Sequence, residues 1–401
     1  MRKLSADFIF PISSPPIENG VVIVDDKGTI TDILKNTDDL IEVEFFEGVI
    51  CPGFVNTHCH LELSHTKGLI PETTGLVGFI EKLQSERNKF TKEQMQQAII
   101  TEEQHMLNEG IVAVGDICNS AATFQVKANS KMYYHSFMEV FAFNPLVALD
   151  VYSKGKELIE CYQDVFENSS KKPFCSIVPH SNYAVSTRLF KIIQEHANEY
   201  DIAITMHNQE TQSEDELFYD GKGALKRMME RFGLDTSFWE KTNKNALLSN
   251  LNVLPKDQNL ILVHNTFTDS ETIKVAQKEF NNVYWCLCPN ANLYIEDKIP
   301  PVINFIENNA AVTIGTDSLA SNHSLSVLEE LKTISKHFDI ELTRLLQWAT
   351  YNGAEALGFE RQLGALEKGK SPGLVLIEKL DNNKLKLTNN SSSRMLMPAK
   401  F

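Results

Sequence analysis

Phe54-Val55-Asn56-Thr57-His58-Cys59-His60 is an apolar run that ends in two histidines. Alternation along a strand puts His58 and His60 on one face and Cys59 on the other, so the two imidazoles converge on one point. Downstream, apolar β-branched runs alternate with helical segments, the rhythm of parallel strands joined by crossover helices. The runs are Val49–Thr57, Ile111–Ile117, Tyr133–Phe141, Phe174–Pro179, Ile202–Met206, Leu260–Val263, Asn282–Leu287 and Val312–Thr316. Helix-like stretches such as Lys92–Glu109, Arg188–Glu199 and Thr343–Leu357 accompany them. Eight such units predict a closed (β/α)8 barrel of the TIM type. A flat doubly wound sheet has similar elements, but no G-x-G-x-x-G turn follows the first strand to mark a nucleotide fold.

Before this rhythm begins, residues 7–10, 21–24, 30–34 and 41–46 read as short strands separated by turn signals such as Glu18-Asn19-Gly20 and Asp26-Lys27-Gly28. At the other end, Leu374–Ile377 and Leu385–Leu387 read as strands, and Thr388–Ser393 as a mobile polar stretch. The expected organisation is therefore a composite β-sandwich domain from residues 1–48 and 363–401, with the barrel spanning 49–362.

At 401 residues with 42% apolar content, the chain can bury a large core. Its 53 acidic against 38 basic residues give a net charge of −15, which opposes a broad grip on nucleic acid or anionic lipid. Neither partner is expected. Pro11, Pro15 and Pro16 interrupt the early apolar run Phe8–Phe10, so no secretion signal and no membrane span is read. The seven cysteines are odd in number and include no C-x-x-C pair. A reducing, cytoplasmic setting is the simpler expectation.

The fifth apolar run leads into His207, the sixth into His264 and the eighth, through Gly315-Thr316, into Asp317. Barrel enzymes place their chemistry at the C-terminal mouths of the strands, where these residues and His58 and His60 fall. Burying such groups without partners costs roughly 2–7 kcal/mol even for a neutral polar group. One divalent cation satisfies most of them together. Imidazole and carboxylate donors suit Zn²⁺ or Fe²⁺, and three or four protein ligands leave a position open for water.

H-x-H, two later strand-end histidines and Gly-Thr-Asp, in this order, resemble the amidohydrolase superfamily, and the resemblance spans nearly the whole chain. Ala349–Gly358 and Gly364–Lys370 resemble the segment leading into that family's β appendage, although Ser371-Pro372-Gly373 stands where an Ala-Asp-Leu-like stretch is usual. The resemblance implies metal ligation by His58, His60, His207 and Asp317, with His264 polarising the group under attack. Binuclear members carry a bridging lysine or carboxylate at the fourth strand, but Phe174–Pro179 ends in His180, and Lys171 and Lys172 precede it. One ion per chain is expected, zinc ahead of iron.

His207-Asn208-Gln209-Glu210 resembles the H-x-x-E arrangement of the cytosine, guanine, adenosine-derivative and triazine hydrolases of that superfamily, which makes Glu210 the proton-transfer candidate beside His264 and Asp317. Glutamate is also common in the first turn of a helix, where Glu210 would merely cap. Pro179–Ser186 resembles a segment that supplies a substrate-contacting histidine in nucleoside deaminases, implying His180 and, beside it, Tyr183. Glu62 and His65 follow the ligand pair in a loop that can face substrate. Cys288-Pro289-Asn290-Ala291-Asn292 resembles the family's Cys-Pro-x-Ser-Asn turn, with Ala291 in place of serine, and reads equally well as a turn that shapes the mouth.

The expected activity is hydrolytic deamination of an amino-substituted purine, pyrimidine or nucleoside-like heterocycle. The alternatives on the same scaffold are dechlorination or dealkylamination of a triazine-like ring, or opening of an imidazolone ring. A barrel kept only for binding is disfavoured because all four ligands and Glu210 are present. The resemblance also implies a homodimer.

Overall fold

The computed structural model describes residues 1–36, 40–167, 169 and 171–400. Among the described residues, strands from both ends of the chain share one sheet, in the order Ser392–Met397, Leu374–Glu378, Val43–Pro52, Arg2–Ile9, Val21–Val24 and Ile30–Leu34. The short strand Ile17–Glu18 adds to Arg2–Ile9. Leu4 and Ala6, Val22 and Val24, and Leu374 and Leu376 recur at every second position, so each pair faces the same side and together they bury one apolar cluster.

The barrel strands are Phe54–Cys59, Ile111–Cys118, Tyr133–Val140, Phe174–Pro179, Ile204–Asn208, Asn259–His264, Asn282–Leu287 and Ala311–Ile314. They pair in parallel as two runs of four. Two narrow seams join the runs into a closed (β/α)8 barrel. At one, Ser181 bridges His207, whose N–H donates to the His180 carbonyl at 2.9 Å. At the other, Cys59 bridges Asp317, and the Thr316 N–H donates to the His58 carbonyl at 3.0 Å. Side chains take over where the ladder is short. The Asn56 amide donates to Thr316 Oγ1 at 2.7 Å, its oxygen accepts the Thr316 N–H at 3.1 Å, and Thr57 Oγ1 donates to the Ile314 carbonyl at 2.7 Å. Both seams lie next to residues of the expected site.

Helices cover the strands for local reasons that the sequence carries. Thr91 and Gln94 form a capping box that starts Lys92–Asn108. Ser186 caps Thr187–Tyr200, which buries Leu189, Ile193 and Ala197 at a spacing of four. Fully burying a leucine or isoleucine of this kind contributes about 1.5–3 kcal/mol. Among the described residues, no helix is long and apolar enough to cross a membrane.

Four stretches differ from the sequence reading. Val49–Thr57 is not one strand: it divides at Gly53, and Val49–Pro52 pair with Leu374–Ile377 in the terminal sheet while Phe54 begins the barrel. A Cβ at Gly53 would lie 2.2 Å from Val112 Cγ1 and 2.9 Å from the Pro372 carbonyl, so only glycine lets the chain pass between the two sheets. Leu385–Leu387 is not a strand; it belongs to a turn closed by the bridge between Asp381 and Lys386. Part of the polar stretch Thr388–Ser393 is instead ordered in Ser392–Met397, because Ser392 and Ser393 pair with Glu378 and Ile377. Thr343–Leu357 is likewise two helices, broken at Thr350, whose Oγ1 donates to the Leu346 carbonyl.

Replacing Gly53 with alanine is expected to lower stability by about 1–3 kcal/mol through overpacking against Val112. Urea denaturation followed by circular dichroism checks this, and an unchanged midpoint would contradict the close packing described.

Candidate active site

His58, His60, His207 and Asp317 lie together at the barrel mouth, with one donor atom of each within 4.8 Å of the others. All four are buried. His60 Nε2 is 3.2 Å from His207 Nε2, and Asp317 Oδ1 is 3.4 Å from His58 Nε2 and 3.5 Å from His60 Nε2. His58 and His60 reach this point by the expected strand alternation. Asp317 and His264 arrive differently: both hold left-handed backbone, with φ of 55° and 74°. Such conformations cost about 1–3 kcal/mol for non-glycine residues and persist only where the surroundings enforce them. Here the Asp317 N–H donates to the His58 carbonyl, and Asn265, after His264, donates to the Asn208 carbonyl. The chain therefore leaves each strand sharply while the side chain stays at the mouth.

A buried chain of amides braces these turns. Asn250 donates to Asn182, Asn182 to Asn208, and Asn208 to Asn265, at 2.9–3.0 Å. It ties together the ends of the fourth, fifth and sixth barrel strands, directly behind His207 and His264. Gly315 has a separate duty. A Cβ there would lie 2.8 Å from His58 Cβ and 2.7 Å from Cys286 Sγ, so His58 holds its place because residue 315 has no side chain.

The donors fit a divalent cation. Neither ring nitrogen of His58 has a hydrogen-bond partner although the ring is buried, an arrangement that is costly without a ligand. His207 Nδ1 donates to the His180 carbonyl at 2.7 Å, which leaves Nε2 with its lone pair facing His60. Donors about 2.0–2.1 Å from a shared tetrahedral centre stand about 3.3–3.4 Å apart, close to the separations found here. Burial, reinforced by the neighbouring histidines, pushes His60 and His207 down towards their neutral forms. Burial would raise Asp317, but His58 and the other imidazoles around it hold its carboxyl well below the usual range. Neutral nitrogens and an anionic oxygen are the states that bind metal.

Glu210 stands across from this set, its Oε1 3.7 Å from His264 Nε2. Burial first, then the negative field of Asp317 and Glu214, pushes it well above an ordinary carboxyl. Helix capping belongs to its neighbours: Thr211 and Glu214 form the capping box of Gln212–Asp220, and Glu214 accepts the Glu210 N–H at 2.8 Å. The Glu210 side chain is thereby left free for the mouth. Burial lowers His264 to about 3.

His180 Nδ1 donates to Glu139 at 2.8 Å, and its ring lies 4.7 Å from that of His207. Burial opposes its charge, but Glu139 outweighs burial and raises His180. Tyr183 is buried among Ile70, Leu76, Phe79 and Phe218, 6.3 Å from His180 between ring centres. Glu62 is buried and raised to about 7, chiefly by desolvation; it accepts from Ser120 Oγ at 3.0 Å and the Asn119 N–H at 3.2 Å. His65 is not brought to the site. Its Nε2 meets the Arg87 carbonyl at 3.1 Å and its ring packs on Phe90.

Glu139 escaped the sequence reading, which placed the end of the third strand at Phe141 and so left Glu139 inside it. It is the penultimate residue of Tyr133–Val140, a strand buried along its whole length. Glu139, His180 and His207 form a second cluster of potential donors among the described residues. His207 Nδ1 is committed to a carbonyl, and Glu139 to His180 and Asn119, so these groups satisfy one another.

The profile of the amidohydrolase family matches residues 49–396. The 5'-deoxyadenosine deaminase of Methanobrevibacter smithii is 25% identical, over 97% of this chain and 86% of its own length. Among solved structures, Helicobacter pylori aminofutalosine deaminase bound to methylthio-coformycin superposes with a TM-score of 0.81 at 23% identity, covering 97% of this chain and 94% of that one. Atrazine chlorohydrolase of Arthrobacter aurescens, complexed with zinc, gives 0.73 at 16% identity, covering 94% and 86%. At these identities the two solved structures establish the fold.

Gly315→Ala is expected to leave the fold intact but to weaken divalent-ion affinity about 10–100-fold by displacing His58. Competition against a chromophoric chelator measures it; affinity equal to the parent's would refute the packing argument.

Proposed function

The chain belongs to the amidohydrolase family, and from that membership we propose that it is a hydrolytic deaminase of an adenosine-type nucleoside or a related amino-substituted heterocycle. One zinc ion, held by His58, His60, His207 and Asp317, serves the reaction. The observation that carries the reading is the placing of Glu210, raised towards its protonated form, opposite an ionised Asp317 with His264 between the two sides. The names of the similar 5'-deoxyadenosine and aminofutalosine deaminases support the substrate class, and the zinc in the similar chlorohydrolase supports the metal.

A divalent ion, when bound, lowers the pKa of a coordinated water from 15.7 towards about 7, which makes hydroxide available at neutral pH. The protein's own groups manage the protons. Asp317 is anionic and accepts the proton that water gives up. Glu210 holds a proton on its carboxyl and delivers it to the ring nitrogen of the substrate, so the carbon bearing the amino group becomes open to attack. The added hydroxyl gives up its proton through Glu210 as it becomes the carbonyl, that proton converts the amino group into departing ammonia, and the proton held by Asp317 restores Glu210. His264 orients the attacking oxygen, and His180, held by its hydrogen bond to Glu139, contacts the rest of the substrate in this reading. Burial of the whole set excludes bulk water, which strengthens each of these interactions.

Incubation with adenosine, 5'-deoxyadenosine and a panel of aminopurines is expected to release ammonia. Glu210→Gln should lower kcat about 10²–10⁴-fold, and undiminished turnover in that variant would remove Glu210 from the mechanism. Chloride release from a chlorotriazine with no ammonia from any amino-heterocycle would favour halide hydrolysis instead.

Metal analysis of purified protein should return one equivalent of zinc per chain. His207→Ala should lose both metal and activity. Two tightly held equivalents would contradict the single-ion centre.

A further inference from the structure

The Cys288–Asn292 turn, which the deaminase reading does not use, opens the helix Pro289–Glu296 and carries Asn292 into the wall of the site. Asn292 is fully buried, and its Nδ2 lies 3.2 Å from His264 Nδ1. The helix start is fixed around it: the Asn292 N–H donates to the Cys288 carbonyl at 3.0 Å, and the Asn290 N–H to Glu330 at 2.9 Å.

An amide nitrogen has only hydrogens to offer, so at this contact His264 Nδ1 must be the acceptor. The ring's proton then sits on Nε2, the nitrogen that faces Glu210 Oε1 at 3.7 Å. A ring protonated on both nitrogens is disfavoured, because two N–H groups would confront each other. The amide orientation has its own reason. As placed, the carbonyl oxygen Oδ1 lacks a partner; turned over, Nδ2 would take that partnerless place and orphan both its N–H groups, and orphaned donors are rarer in protein interiors than under-satisfied carbonyls.

We propose that Asn292 is a positioning residue that locks His264 into the Nε2–H tautomer, so that this histidine enters the reaction as a hydrogen-bond donor and not as a base. The inference rests on the site assigned above, but not on its substrate. A donor at Nε2 steadies an oxygen that gains negative charge, whereas an acceptor there would repel it. In the serine hydrolase triad, holding the wrong histidine tautomer costs about 10⁴ in kcat with geometry intact.

The test is the two-bond ¹H–¹⁵N spectrum of zinc-loaded protein labelled with ¹⁵N-histidine, with His264 assigned by its loss in His264→Gln. The expected spectrum shows a protonated nitrogen at Nε2 and a bare one at Nδ1. In Asn292→Asp, which has nearly the same shape but an acceptor facing Nδ1, the proton should appear on Nδ1. Asn292→Ala should lower kcat about tenfold or more, with KM and zinc content unchanged. A proton on Nδ1 in the parent protein, or a spectrum unaltered in Asn292→Asp, overturns the proposal. If neither variant folds, the parent spectrum alone decides. Because the spectrum needs no turnover, an empty ammonia screen would count against the deaminase reading and leave this test in force.

Discussion

Three imidazoles and a carboxylate are buried together at the barrel mouth, and they cannot fully satisfy one another. The His58 ring has no hydrogen-bond partner, and His60 and His207 turn nitrogen towards nitrogen. A cation is the one partner that accepts electron pairs from all four at once. The surrounding structure serves this convergence. The barrel closes beside Asp317 and His207, the sixth and eighth strands end in left-handed turns, and residue 315 has no side chain so that His58 can stand where it does.

Around that centre, polar groups are held in graded layers. His207 is oriented by a backbone carbonyl, His264 by Asn292, His180 by Glu139, and Glu210 by a helix start built from other residues. For the three histidines, each orienting group lies on a different strand end or loop from the group it holds. Removing one such support disturbs the geometry of the mouth without removing a reactive group, which is why function can be lost at positions that touch no substrate.

The barrel and the convergent set were legible because polar residues end apolar runs there: His207 closes Ile202–Met206, and Asp317 follows Val312–Thr316. Period-two alternation was enough to align His58 with His60. Glu139 was not legible, since the apolar run continues past it to Phe141 and hides where the strand stops. The division at Gly53 was not read either: Pro52-Gly53 is a break signal, but the apolar residues on both sides of it hide that the chain changes sheets there. Ser392–Met397 has too little apolar alternation to announce itself, and its order comes from Leu374–Glu378 beside it. His65 shares a loop with the ligand pair, and only tertiary packing turns it to Arg87.

The strand Val43–Pro52 runs through Gly53 into the strand that carries His58 and His60, and one of its two neighbours, Leu374–Glu378, comes from the far end of the chain. During translation, this strand emerges from the ribosome long before that neighbour exists. Until then it presents an apolar, unpaired edge, a template for mispairing between nascent chains. The same delay means that the first two histidines wait for their anchorage until synthesis is nearly complete, so a prematurely released chain carries the metal-binding residues without the frame that holds them.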